Sequence, residues 1–264
     1  MRYLKRIFWY IDRAILGGFV KLLYLKFVDR LLIKHMSDLY NYGFIGEYIK
    51  NDNSMLNVLC DKYESDKGEI SSEGNPYHWP SHNYADIYEL MFRLRRNDVE
   101  LLVECGIGTN NPSLVSSMGV DGKPGASLYV WRDFFPKAQI IGIDIDSDIL
   151  FEEDRITTYQ CDQTSSDSIE NFCDLALLTP SSIDIIIDDG LHKFHAGKSM
   201  FEAMNKYLAI DGIYVIEDII LSDYIPYKDY FSGLKSQFTV QFINLQRPSL
   251  SVVDNRLIII RHNI

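Results

Sequence analysis

The sequence predicts an α/β fold: a doubly wound, Rossmann-like sheet, mostly parallel with one antiparallel strand near the carboxyl terminus, plus an amino-terminal helical appendage. Three observations lead there. The run Ile185 to Ile187 has no polar alternation, as expected of a parallel strand buried on both faces. Similar apolar runs alternate with helix-length segments along residues 99–220. Most of these runs end in carboxylates or glycines, and in open α/β sheets the crevice beyond the carboxyl ends of the strands is where ligands bind.

With 264 residues, 47% hydrophobic and 24% charged, the chain can bury one substantial core. The economical division is an amino-terminal helical segment, residues 1–57, and one α/β domain, residues 58–264. Net charge is −11, but residues 1–35 carry eight Lys/Arg against two Asp, a net of +6, which leaves −17 for the remainder. An acidic body excludes nucleic acid as the expected partner, because phosphate contacts dominate such binding. Cys60, Cys105, Cys161 and Cys173 show neither CxxC spacing nor paired histidines, so a reducing, cytoplasmic compartment fits better than a zinc cluster or a disulfide framework.

In order along the chain, residues 1–35 are apolar, aromatic and basic. Beyond the first dozen residues the longest uncharged run is the seven from Ala14 to Val20, too short to span a bilayer. Ile7, Ile11, Ile15, Phe19 and Leu22 recur at helical spacing opposite many of the basic residues. An interfacial helix at the inner membrane face, a lid and a homo-oligomer contact all suit that pattern. Residues 40–57 read as a connector and a short helix. Leu59 to Gly68 reads as a charged turn, and Ala85 to Arg95 as a helix after His82-Asn83-Tyr84.

Val99 to Gly108, VELLVECGIG, is the first sheet strand and a glycine turn, with Glu104 at the strand tip and Gly106 and Gly108 allowing close backbone approach. Gln139 to Asp146 is the second strand, and its acid, Asp144, is placed to bind ribose hydroxyls. The third glycine of a dinucleotide fingerprint is missing: Thr109, Asn110 and Asn111 follow Gly108, which counts against a nicotinamide cofactor. Thr109 to Gly125 is long enough to be a functional loop. Helices are expected over Ala126 to Phe135, Asp167 to Leu178 and Phe194 to Tyr207. Further strands are expected over Arg155 to Cys161, Ile185 to Ile187 and Gly212 to Ile216, then over Phe238 to Leu245 and Arg256 to Arg261. Ile210-Asp211-Gly212 should be the turn into Gly212 to Ile216.

Two strand tips carry paired acids, Asp188-Asp189 and Glu217-Asp218, with His192 just beyond. Four carboxylates at neighbouring tips repel one another unless a cation lies among them, and hard oxygen ligands suit Mg²⁺, Mn²⁺ or Ca²⁺. Taken singly, each acid is as readily a helix cap or a solvated turn residue. His195 reads as structural.

The segments ECGIG, GASLYVWRDFFPKAQIIGIDID, CDQ, IDIIIDDGLH and DGIYVIED strongly resemble the class I S-adenosylmethionine-dependent methyltransferases, specifically the metal-dependent sugar O-methyltransferases of macrolide biosynthesis and the related cephamycin-pathway protein CmcI. The resemblance covers roughly Leu59 to Ile220. It implies S-adenosylmethionine and a divalent metal, expected to be Mg²⁺, as cofactors. It further implies Asp189, Glu217 and Asp218 as metal ligands and His192 as the general base. Glu104, Gly106 and Gly108 match the cofactor turn, Asp144 the ribose acid, Asp162 and Gln163 the adenine side, and Ser65 and Lys67 the methionine end. Leu191 departs from the small residue usual there, and the long loop from Thr109 leaves the acceptor open. The implied reaction is methylation of a sugar hydroxyl, on a nucleotide sugar, a surface polysaccharide or a natural-product glycoside. The alternatives are a metal-dependent methyltransferase of a phosphorylated metabolite or catechol, a nucleotide-sugar oxidoreductase and a non-catalytic membrane-associated scaffold.

Overall fold

The computed structural model describes residues 47–71, 74–247 and 252–263. The expectations for residues 1–46, an interfacial helix, lid or oligomer contact, and for the loop containing Pro248 lie outside the described residues. Among the described residues two helices precede the sheet: α1, Met55–Tyr63, and α2, Tyr84–Phe92. Ser54 caps α1 by accepting a hydrogen bond from the Asn57 N–H, and Glu64 closes it in the left-handed region at φ 57°. The helix therefore runs through Leu59 to Tyr63, which the sequence reading assigned to a charged turn. That segment buries Leu56, Leu59 and Cys60, so packing outweighs its local polarity.

The remaining elements are β1 Leu101–Cys105, α3 Ala126–Phe134, β2 Gln139–Asp144, β3 Glu152–Glu153, β4 Ile156–Gln160, α4 Ser166–Leu175, β5 Ile183–Asp188, α5 Phe194–Met204, β6 Leu208–Ile216, α6 Leu221–Ser232, β7 Phe238–Asn244 and β8 Arg256–His262. They form one eight-stranded sheet in the order β3-β4-β2-β1-β5-β6-β8-β7. Near the carboxyl terminus β8 alone runs antiparallel to β6, as the sequence implied, and the short edge strand β3 pairs antiparallel to β4.

Each central strand is buried on both faces. Ile185, Ile187, Ile213 and Val215 join Leu56, Tyr88, Trp131 and Phe135 on one side of the sheet. Ile186, Tyr214 and Ile216 join Phe172, Met200, Phe201 and Phe231 on the other. Strictly alternating side chains of one strand thus feed two helical layers, which is why the strands read as continuous apolar runs.

Two elements differ from expectation. The residues Ile210-Asp211-Gly212 lie inside β6 rather than in a turn before it, and the pairing with β5 shifts register between Ile183 and Ile185 to absorb them. Helix α6 was not anticipated: it contains Pro226, which has no N–H to donate, and its aromatic residues do not mark a clean stripe.

The chain leaves β1 for β2 on one side and later returns to β5 on the other, so β1 and β5 flank the topological switch point. Their tips are in register, Cys105 opposite Asp188, and Asp188 opposite Ile216 of β6. Backbone bonds continue the ladder past the tips, from Asp189 N to Cys105 O at 2.8 Å and from Glu217 N to Asp188 O at 2.9 Å. The acid pairs and the glycine turn therefore converge on one edge.

Candidate active site

That edge opens into a cavity of about 530 Å³, within the range of small-molecule sites. Gly106, Gly108, Asp144, Asp162, Gln163, Ser65, Lys67, Asp189, His192, Glu217 and Asp218 all border it. Glu104 does not. It is 0% exposed, its Oε2 accepts from Ser127 Oγ at 2.7 Å and Trp131 Nε1 at 3.1 Å, and its Oε1 lies 3.2 Å from Lys67 Nζ. Its carboxylate fixes Lys67 and α3 from behind the cavity wall, whereas the sequence reading had placed it among the cofactor contacts.

The glycine turn is a close-approach device. Gly106 and Gly108 both have φ +82°, and a Cβ on Gly106 would lie 2.0 Å from the Asp189 carbonyl oxygen. Asp144 holds the turn by accepting from Ile107 N at 3.0 Å and from Asp146 N at 3.0 Å, and burial raises its pKa. Gln163 links two tips: its Nε2 donates to Asp188 Oδ1 at 2.9 Å and its Oε1 accepts from Leu191 N.

Each acid pair is split by its backbone. Asp188 points away from the cavity and is 3% exposed, Glu217 lies at its inner wall and is 1% exposed, and Asp189 and Asp218 face it more openly. Asp218 and His192 both adopt the left-handed region, at φ 56° and 55°, which sets the direction of each side chain. Lys67, 3% exposed, donates to Asp189 Oδ2 and Glu217 Oε2, both at 2.6 Å. Burial favours a neutral amine, but Asp189, Glu217 and Glu104 outweigh it and raise the Lys67 pKa well above its ordinary value. Burial pushes Glu217 up. It acts the same way on Asp189, but there Lys67 and His192 win and hold the carboxyl down to about 2.

Single ligand atoms of Asp189, His192 and Asp218 lie within 4.8 Å of one another. His192 Nε2 is 3.1 Å from Asp189 Oδ1, and its Nδ1 is 3.8 Å from Asp218 Oδ2. The two carboxylates of this group suit a hard divalent cation, with the imidazole beside them. Of the expected trio, Asp189 and Asp218 thus come together with His192, while Glu217 gives its oxygens to Lys67 and to the Tyr88 hydroxyl. A second group, His82, Asp218 and Asp254, shares Asp218.

Sequence reasoning passed over His82, Tyr84, Tyr88 and Asp254. His82 spans Asp218 at 3.2 Å and Asp254 at 3.4 Å, and Tyr84 donates to Asp218 Oδ1 at 2.7 Å. One signal was present: Tyr84 and Tyr88 stand four residues apart on one face of α2, and fully buried tyrosines need partners for their hydroxyls. Those partners lie about 130 residues away, out of reach of local pattern.

The sheet order and the switch-point cavity are those of the class I methyltransferase fold. The structure aligns with that of MycE methyltransferase from the mycinamycin pathway, solved with Mg, SAH and mycinamycin VI, at TM-score 0.56 and 21% identity, over 78% of this chain and 54% of that one. In sequence the chain is similar to several O-methyltransferases. It is 32% identical over 165 residues to mycinamicin VI 2''-O-methyltransferase of Micromonospora griseorubida, covering 61% of this chain and 37% of the relative. Against demethylmacrocin O-methyltransferase of Streptomyces fradiae it is 32% identical over 162 residues, 61% and 38% of the two chains. The chain thus spans less than two fifths of the length of these relatives. No protein-family model matches it.

Proposed function

We propose that this protein is an S-adenosylmethionine-dependent, divalent-metal-dependent O-methyltransferase acting on a sugar hydroxyl of a natural-product or surface glycoside. The convergence of Asp189, His192 and Asp218 on the same cavity as the Gly106–Gly108 turn carries this reading. The relatives support it, since three of them are named as O-methyltransferases of a rhamnosyl tetracenomycin-C or of L-olivosyl-oleandolide.

In this scheme the backbone at Gly106 and Gly108 lies against the cofactor, Asp144 meets the ribose, and Asp162 and Gln163 border the adenine. The acidic lining favours a cationic sulfonium over the neutral thioether left after transfer. Asp189 and Asp218 would hold the metal, with Glu217 kept at its inner side by Lys67. Such a cation supplies charge that acidifies a sugar hydroxyl and offsets the carboxylate field on His192. His192 takes the hydroxyl proton as the oxygen attacks the methyl carbon and the carbon–sulfur bond breaks. Lys67 and His82 hold the carboxylates in place, so the contribution of the protein is mostly position.

Calorimetric titration with S-adenosylhomocysteine, with NADH as control and at fixed Mg²⁺, tests the class. Saturable binding of the first alone is expected, together with methyl transfer that EDTA abolishes and added Mg²⁺ restores. Binding of NADH, or full activity in EDTA, would overturn the reading.

A further inference from the structure

The family resemblance places Gln163 at the adenine side of the cofactor, yet each end of its amide is engaged with the chain itself. The residue is 7% exposed. Its Nε2 donates to Asp188 Oδ1 at 2.9 Å, and its Oε1 accepts from the Leu191 N–H. One orientation of the amide satisfies both neighbours, because an ionised carboxylate only accepts and a backbone N–H only donates. Asp188, which points away from the cavity, therefore sets which end of Gln163 meets Leu191.

The turn from Gly190 to Lys193 starts directly after Asp189 and carries His192. It needs an outside hold. His192 sits in the left-handed region at φ 55°, a conformation that a residue other than glycine keeps where its surroundings determine it. Lys193, the cap of the following helix α5, makes no side-chain capping bond. Among the described residues, the bond from Leu191 N to Gln163 is the one hydrogen bond that ties the main chain of residues 190–193 to a segment outside residues 188–197. Packing closes both sides of the turn. A Cβ on Gly190 would lie 1.9 Å from Gln163 Oε1, and a Cβ on Gly106 would lie 2.7 Å from Gly190 Cα.

We infer that Gln163 is a positioning residue: acting through Leu191, its amide fixes the turn that sets Asp189 and His192 beside Asp218. This rests on the proposed methyltransferase reading and deepens it, giving Gln163 a role at the metal end of the cavity instead of a polar contact with adenine. Asp188 and Gln163 form one relay, so they should tolerate an exchange of roles. When Asp188→Asn is combined with Gln163→Glu, the new amide donates to the new carboxylate, which still accepts from Leu191 N–H. The net charge is then that of the wild type.

Mn²⁺ binding to the full chain at pH 8, read from the electron paramagnetic resonance signal of the free ion, tests it beside calorimetric titration with S-adenosylhomocysteine. Gln163→Met keeps the length of the side chain and removes both hydrogen bonds. It should weaken Mn²⁺ binding about tenfold while S-adenosylhomocysteine affinity stays unchanged. Gln163→Glu alone should weaken Mn²⁺ binding too, although the added negative charge would by itself strengthen it. The double variant should return Mn²⁺ affinity to the wild-type value, a recovery that neither a general folding defect nor charge explains. Unchanged Mn²⁺ affinity in Gln163→Met, a double variant that binds Mn²⁺ no better than Gln163→Glu, or S-adenosylhomocysteine affinity that falls with Mn²⁺ affinity in a Gln163→Met protein of native circular dichroism overturns the inference. Failure of the broader reading is separate: there the wild type itself does not bind S-adenosylhomocysteine.

Discussion

Burial alone would strip the proton from His192, yet Asp218 and Asp189 outweigh it and push its pKa up to about 10. An imidazole held charged in this way is an acid, and it becomes a base only when positive charge offsets its carboxylates. In the proposed reaction, dependence on a divalent metal and dependence on His192 would thus be one property seen twice. Replacing His192 with alanine should lower kcat by about 10²- to 10⁴-fold, with S-adenosylhomocysteine affinity unchanged by calorimetry; an unaltered kcat would assign the proton to another acceptor. Much of this was readable from sequence, because Asp189, His192 and Asp218 lie beside strand ends that their apolar runs announce. That Glu217 faces Lys67 was not readable, since it depends on which way the backbone turns after the last strand residue.

Among the elements, α1 and α3 are joined by a surface cluster. Asp133 of α3 accepts hydrogen bonds from Tyr63, from Lys62 at 3.1 Å and from Arg132 at 3.0 Å. Burial opposes ionisation, but these donors win and lower the Asp133 pKa from 3.8 to about 2. A carboxyl with a depressed folded-state pKa contributes stability that is present above the unfolded value and disappears as pH falls through the folded one. Urea denaturation of the wild type and Asp133→Asn should therefore show a difference in midpoint at pH 6 that shrinks between pH 4 and 2. A constant difference would mean that the cluster acts through packing alone. Legibility at this scale followed periodicity. Strands β1, β2 and β5 and the second half of β6 follow apolar runs legible in the sequence, whereas α6 hides behind Pro226 and the first half of β6, Leu208 to Asp211, reads as a turn that the register shift with β5 accommodates. Boundaries moved wherever a tertiary contact, not a local signal, ended the element.

Across the whole molecule, one buried lysine balances carboxylates delivered by three strands: Glu104 after β1 begins, Asp189 after β5 and Glu217 after β6. Removing one partner of a buried ion pair leaves the others uncompensated, which typically costs about 3–5 kcal/mol. Lys67→Met should destabilise the fold by about that amount in chemical denaturation, and a loss under about 1 kcal/mol would show that the acids are neutral or solvated without it. Lys67 and Glu217 stand 150 positions apart in the chain. A partly assembled intermediate in which the sheet has formed but residues 50–95 have not docked would strand those acids in a low-dielectric interior with no counter-charge. Such a species is disfavoured beyond its loss of apolar packing, so the network that readies the cavity also penalises halfway structures and makes folding of this domain more nearly all-or-none.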